Sequence, residues 1–165
     1  MTDKKEFATV LDEFYEYLSG ILEIYQNAVP LLKEELSHIL GDELQALDEN
    51  MNAQQSLLLR TKNFDAKLAE YQTAMDISGA TLSEMALRFP EEKQAEFFEL
   101  IGQFHQTLEE VEFYKEKCKD TLQNKLYHID KVLTRKEMQK SNTTYDQNAA
   151  EVKSSLFSKA FETKI

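Results

Sequence analysis

The sequence predicts an all-α protein: a long antiparallel helical hairpin, then a third long helix, together an elongated helical bundle with a C-terminal tail. Two observations carry this. Between Lys93 and Lys136 the chain has one Gly, no Pro and an apolar seam that keeps returning to one helical face. The seam is Ile101, Phe104, Leu108, Val111, Cys118, Leu122, Leu126, Ile129 and Leu133, interrupted by Lys115. Its steps of three, four and seven suit 3.6 residues per turn and not the alternation of a strand. The later positions creep forward of a strict heptad, as an unsupercoiled helix requires, so the seam belongs to a short bundle more than to an extended two-stranded coil. The second observation is that only four Gly and two Pro occur in 165 residues. With so little turn chemistry and so much Glu, Lys, Leu, Ala and Gln, no sheet is expected.

The first helix is predicted from about residue 4 to 40. Phe7, Val10, Leu11, Phe14, Tyr17, Leu18, Ile21, Leu22 and Tyr25 recur at three and four, and Leu31, Leu32, Leu36, Ile39 and Leu40 continue the pattern beyond Pro30. A proline costs about 3 kcal/mol inside a helix, which a long packed helix can absorb, so a kink is expected there and not an end. Gly41 followed by Asp42 reads as a C-cap and then an N-cap, reversing the chain. A second helix is predicted over about 42–77 through Leu44, Leu47, Met51, Leu58, Phe64, Leu68, Tyr71 and Met75, stopping near Ser78 and Gly79. Joined so closely, the two must lie antiparallel. Thr81 and Glu84 have capping-box spacing, predicting a short helix over 81–88. Pro90 suits the first position of a third helix over about 91–138, with Glu91 and Glu92 at its positive dipole end.

These elements make one bundle of residues 1–138. From Gln139 the sequence is polar and without periodicity, which predicts a flexible linker. Val152, Leu156, Phe157, Ala160 and Phe161 then recur at four, one, three and one. That is an amphipathic helix too short to stand alone, expected to fold only when docked.

Charge narrows the function. The net charge of −11 gives no footprint for nucleic acid. It is uneven: residues 1–50 carry 3 basic and 12 acidic side chains, residues 51–114 carry 5 and 11, and residues 115–165 carry 11 and 7. Charge runs usually solvate helix faces; the alternative is a basic end that meets a different partner from the acidic body. No signal-peptide core and no apolar run of membrane-spanning length occurs, so membrane insertion is not expected and a cytoplasmic location is.

No catalytic constellation is legible. The single cysteine, Cys118, falls on the apolar stripe and reads as a buried small hydrophobe with no base beside it. Glu35-Leu-Ser-His38 has the Glu-x-x-His spacing of di-iron bundles, but a di-iron site needs the motif twice. Gly102 stands at that offset before His105 and Lys125 before His128. No metal and no cofactor is therefore expected. His38 reads as a residue near the helix C-terminus, and His105 and His128 as boundary residues. Phosphate-cradling and nucleophile-elbow glycine motifs are missing, so an enzyme is not expected. Tyr145 is isolated in a polar stretch, where an aromatic marks either a docking point or nothing.

Taken together, the Gly-Asp turn into Glu-Leu-Gln-Ala-Leu, the Thr-Leu-Ser-Glu and Phe-Pro-Glu-Glu insert before the long helix, and the tail with Thr-Thr-Tyr145-Asp ending Phe161-Glu-Thr-Lys-Ile165 resemble the FlgN family of flagellar export chaperones. The resemblance implies a cytoplasmic chaperone that binds hook-associated (hook-filament junction) proteins by their C-terminal helical segments. It implies delivery to the flagellar type III export apparatus. In that family the C-terminal half holds the client and a tail tyrosine docks on the export gate membrane protein; by motif position this is Tyr145. Asp146-Gln-Asn-Ala149 stands where the family carries a small residue or glycine after it. The client seat is expected at Leu122, Leu126, Ile129, Val132 and Leu133, with Val152, Leu156, Phe157 and Phe161 of the tail. The alternative is a coiled-coil scaffold or homodimer without a client.

Overall fold

A computed structural model describes residues 2–139, with side chains from Lys4 onward. Most of those residues are helical, and there is no strand among them. Five helices follow one another: α1 (Thr2–Gly41), α2 (Leu44–Arg60), α3 (Phe64–Ala74), α4 (Leu82–Ala86) and α5 (Glu91–Glu137).

The first helix is the spine, about 60 Å long at 1.5 Å per residue. Its buried positions include Leu11, Phe14, Leu18, Ile21, Leu22, Ile24, Tyr25, Ala28, Val29 and Leu32. Adjacent pairs such as Ile21 with Leu22 and Ala28 with Val29 widen the stripe beyond one seam, so α1 can pack on two sides at once. On one side α2 and α3 run antiparallel to it: Asn50 reaches Leu31, and Tyr71 reaches Phe14. On the other side α5 runs parallel to it, since Lys93 meets Asp12, Lys33 meets Glu110 and Cys118 meets Leu32. The backbones of α2 and α5 do not approach each other; both dock on α1.

The main core lies where α1, α3, α4 and the start of α5 converge. Phe14 is its centre, with ring centroids 4.9 Å from Tyr71, 6.0 Å from Phe97 and 6.4 Å from Phe89. Phe89 and Phe97 meet edge to face at 4.6 Å. Such offset and edge arrangements suit the ring quadrupole. Further along α1 the packing thins to Val29, Leu32 and Val111, with Tyr114 against them. A polar cluster holds this stretch to α2. Buried Asn50 donates from Nδ2 to the Leu31 carbonyl at 2.9 Å, and Gln54 Nε2 donates to Asn50 Oδ1 at 2.7 Å and to Glu35 Oε2 at 2.6 Å.

The structure differs from the sequence expectations at four joints. The single second helix expected over 42–77 is broken at residues 61–63. There Thr61, Lys62 and Phe64 bond to carbonyls three residues back, and the Thr61 hydroxyl donates to the Leu58 carbonyl at 2.8 Å. The break re-aims the chain so that Phe64 and Leu68 are buried while Leu59 stays exposed. At the α1–α2 turn the left-handed residue is Asp42 (φ 57°), with Gly41 still helical and Glu43 as N-cap. Glu43 N–H donates to the His38 carbonyl and Asp42 N–H to the Ile39 carbonyl, a Schellman closure. The same closure ends α3 at Asp76 (φ 56°), ahead of the Ser78-Gly79 stop expected from composition. Pro90, with ψ 141°, is the N-cap of α5 and not its first helical residue.

Other expectations match. Helix α1 runs on past Pro30. Thr81 and Glu84 form both bonds of a capping box, with Thr81 N–H donating to Glu84 Oε2 at 2.8 Å. That N–H, and then the Thr81 hydroxyl, pull the Glu84 carboxyl below its ordinary pKa.

Because Phe14 joins three elements, Phe14→Ala should cost about 3–5 kcal/mol in urea unfolding, whereas Leu59→Ala, at an exposed site, should stay within about 0.5 kcal/mol.

Candidate partner-binding surface

Helix α5 outlasts the helix it packs on. Its buried positions are Phe97, Leu100, Ile101, Phe104, Thr107, Val111 and Cys118, all on the face toward α1. Cys118 is the last of them. Its Sγ donates to the Leu32 carbonyl at 3.5 Å, and burial, with Glu35 adding to it, pushes the thiol up to about 12.

At Lys125 the helix passes the end of α1. Lys125 Nζ donates to the Leu40 carbonyl at 3.0 Å and to Asp42 Oδ1 at 2.6 Å. The cation thus meets one of the carbonyls that the end of α1 leaves without a helical partner, at its negative dipole end. Beyond it residues 126–137 project as an arm of about 18 Å. The arm remains helical because it continues a helix already nucleated in the bundle, and Arg135 and Lys136 occupy its last turn.

The apolar stripe does not stop where its cover stops. Leu122 and Leu126 are each 42 % exposed, Ile129 55 %, Val132 51 % and Leu133 51 %. These five are the third-helix residues singled out in the sequence, and α5 brings them onto one side of one helix. Four lie within about 40° of a common line down the helix, with Val132 at its flank. A row of half-exposed aliphatics at this spacing is what a second amphipathic helix can cover.

Two further apolar residues lie at the same end of the bundle. Leu40 is 61 % exposed and Leu44 78 % exposed, on either side of the Asp42 that Lys125 grips. By periodicity both belonged to buried stripes. The turn displaces them: α1 ends at Gly41, and both side chains are left exposed beside it. The only sequence signal was their position within two residues of Asp42.

The remaining candidates take no part in this surface. Glu35 accepts from Gln54. His38 Nδ1 lies 3.4 Å from Glu43 Oε2 without an aligned hydrogen bond. His105 and His128 are exposed on α5. Among the described residues no group of three or more His, Cys, Asp or Glu side chains could hold a metal ion. An open groove along α5 is lined by His105, Leu108, Glu109, Glu112, Phe113 and neighbouring residues to Asp120. Four carboxylates, those of Glu109, Glu112, Glu116 and Asp120, stand along it. Tyr145, Val152, Leu156, Phe157 and Phe161 lie outside the described residues.

A family model described as FlgN protein matches residues 1–153. The chain belongs to the FlgN family. This is a family of flagellar chaperones and not of enzymes, which gives the chain a general chaperone role. The match includes the whole FlgN bundle, the arm, Tyr145 and Val152, and ends before Leu156. Comparison with curated proteins and with solved structures gives no match. No helix among the described residues is long and apolar enough to cross a membrane.

Three outcomes follow from this geometry. Cys118 should react with a thiol reagent slowly in the native protein at pH 8 and rapidly once unfolded. Its thiol titrates higher in the folded than in the unfolded chain, so it contributes stability below about pH 9 that is lost as pH rises toward about 12. Urea midpoints measured from pH 8 to 11 should therefore fall more steeply in this chain than in Cys118→Ala. Lys125→Met should change global stability by less than about 1 kcal/mol, the range for an exposed pair. It should nonetheless speed amide exchange across residues 122–137, read by mass spectrometry, because the arm loses its tether to the hairpin.

Proposed function

We propose that this protein is a flagellar export chaperone that binds the C-terminal helical segments of hook-associated proteins in the cytoplasm and delivers them to the flagellar type III export apparatus. The observation that carries this reading is the α5 arm: a helix in a flagellar chaperone family that continues past its bundle with an open apolar stripe. Leu122, Leu126, Ile129, Val132 and Leu133 form the seat for an amphipathic client helix. Leu40 and Leu44 extend it at the hairpin end. The tail residues Val152, Leu156, Phe157 and Phe161 close on the client from its other side, and Tyr145 makes the transient contact with the export gate membrane protein. No cofactor enters the function.

The mode is helix-in-groove recognition, in which apolar anchors at i, i+3, i+4 and i+7 supply the grip. Seating two charges under a client helix is costly, since each loses water without gaining a partner. Leu126→Asp with Leu133→Asp should therefore weaken binding of a peptide copying a hook-associated C-terminal helix by more than about a hundredfold. Gel filtration of mixtures reads this as loss of co-elution, with helical content by circular dichroism nearly unchanged. Loss of helicity would instead place these residues in the core. Self-association with no peptide binding would favour the scaffold reading.

A further inference from the structure

We propose that, in the absence of client, the apolar face of the arm is covered by the chain's own residues 150–162, so that the tail is a built-in competitor for the client seat. The proposal starts from an unpartnered face whose extent is fixed: Leu122, Leu126, Ile129 and Leu133 span about 16 Å of helix. They lie just upstream of where the described chain ends at Gln139. The sequence beyond carries Val152, Leu156, Phe157, Ala160 and Phe161 on one helical face. Val152 to Phe161 would span about 14 Å as helix, which matches the open stripe.

Length and direction allow the contact. Residues 139–151, rich in Ser, Asn, Thr and Gln, have a free-chain reach of about 20 Å. Returning antiparallel from the end of α5 to Leu133 requires about 8 Å along the helix and about 10 Å across to a packed neighbour. A two-residue connection could not do this, and a much longer one would dilute the segment.

Concentration decides which occupant wins. A short tether holds the segment at about millimolar effective concentration over the face, well above that of a second copy free in solution at micromolar levels. A segment with an intrinsic dissociation constant of about 0.1 mM would then occupy the face about nine-tenths of the time. Any client would have to displace it, lowering its apparent affinity about tenfold. The purpose assigned to this cover rests on the reading of the face as a client seat; the contact itself does not, and can be measured with no client present.

The test reads solvent access at the seat in the full-length chain. Cys118→Ser removes the native thiol, Leu126→Cys places a new one on the face, and Phe113→Cys serves as a control on another exposed part of α5. Each is then combined with Phe157→Asp and Phe161→Asp. The expected result is that Leu126→Cys reacts with a thiol reagent about tenfold faster when the two Asp substitutions are present, while Phe113→Cys reacts at one rate in both backgrounds. Dilution should leave these rates unchanged, since the contact is within one chain. Equal rates at Leu126→Cys in the two backgrounds would overturn the proposal. So would slow labelling that survives the Asp substitutions and is relieved by dilution, which would assign the face to a second copy. Because the assay contains no client, its failure leaves the client seat standing. Conversely, unaltered client binding by Leu126→Asp with Leu133→Asp would remove the client seat alone.

Discussion

Every other element depends on α1 being apolar on two sides. A helix with a single seam can hold one partner, and α1 holds α2 and α3 on one flank and α5 on the other, with no close backbone approach between α5 and either α2 or α3. The doubled apolar positions at Ile21-Leu22, Ile24-Tyr25 and Ala28-Val29 make this possible. It follows that α5 depends for most of its length on α1 alone, with α4 supporting only its start. Where α1 ends, α5 loses its cover. The open arm is thus a consequence of relative length: α1 stops at Gly41, and the segment of α5 that would lie beyond it has no facing helix.

Along the bundle the nature of the contacts changes. Around Phe14 the helices share a dense aromatic core, and buried Met85 and Ala86 close it from below. Past Val29 the interfaces rest on one buried Asn, one Gln, a thiol, a few aliphatics with Tyr114 against them and the Lys33–Glu110 pair, and at Lys125 they reduce to a cation on a carbonyl and a carboxylate. Hydrogen bonds of this kind contribute about 1 kcal/mol each, against about 1.5–3 kcal/mol for each large side chain fully buried. Local stability should therefore fall from the aromatic end toward the arm, which puts the open apolar stripe at the end best able to adapt.

The sequence disclosed the helices because their apolar spacing is long and regular, and it disclosed the capping box because two side chains three residues apart make it locally. It disclosed the open stripe on α5 for a related reason: a stripe that outruns any plausible cover must be exposed or meet a partner. What stayed hidden was set by how helix ends meet. The break at residues 61–63 had one trace, a six-residue step from Leu58 to Phe64 that fits neither three nor four. The left-handed residue is Asp42 and not its neighbour Gly41, because the register of the Schellman bonds, not composition, chooses which residue turns. Leu40 and Leu44 look like core by periodicity and are exposed because the turn sets them at the tip of the hairpin.

A long rigid arm and a weak grip are compatible requirements. Because the arm continues α5, its backbone is already ordered before any partner arrives, so binding does not bear the cost of about 1–2 kcal/mol per residue that folding a free segment would. Yet five aliphatics, each already about half covered, have only about 0.8–1.5 kcal/mol apiece left to gain from further burial. That totals about 4–7 kcal/mol, to which a client's own apolar face would add a similar amount, and association itself costs about 4–15 kcal/mol in lost translation and rotation, so the two sides nearly cancel. On the proposed reading the arm alone would therefore hold a client only weakly, and further affinity would have to come from surface outside it, such as Leu40 and Leu44. On the function proposed above, a carrier that must surrender its cargo would be well served by a site in which no single part is sufficient, since withdrawing either contribution would release the client.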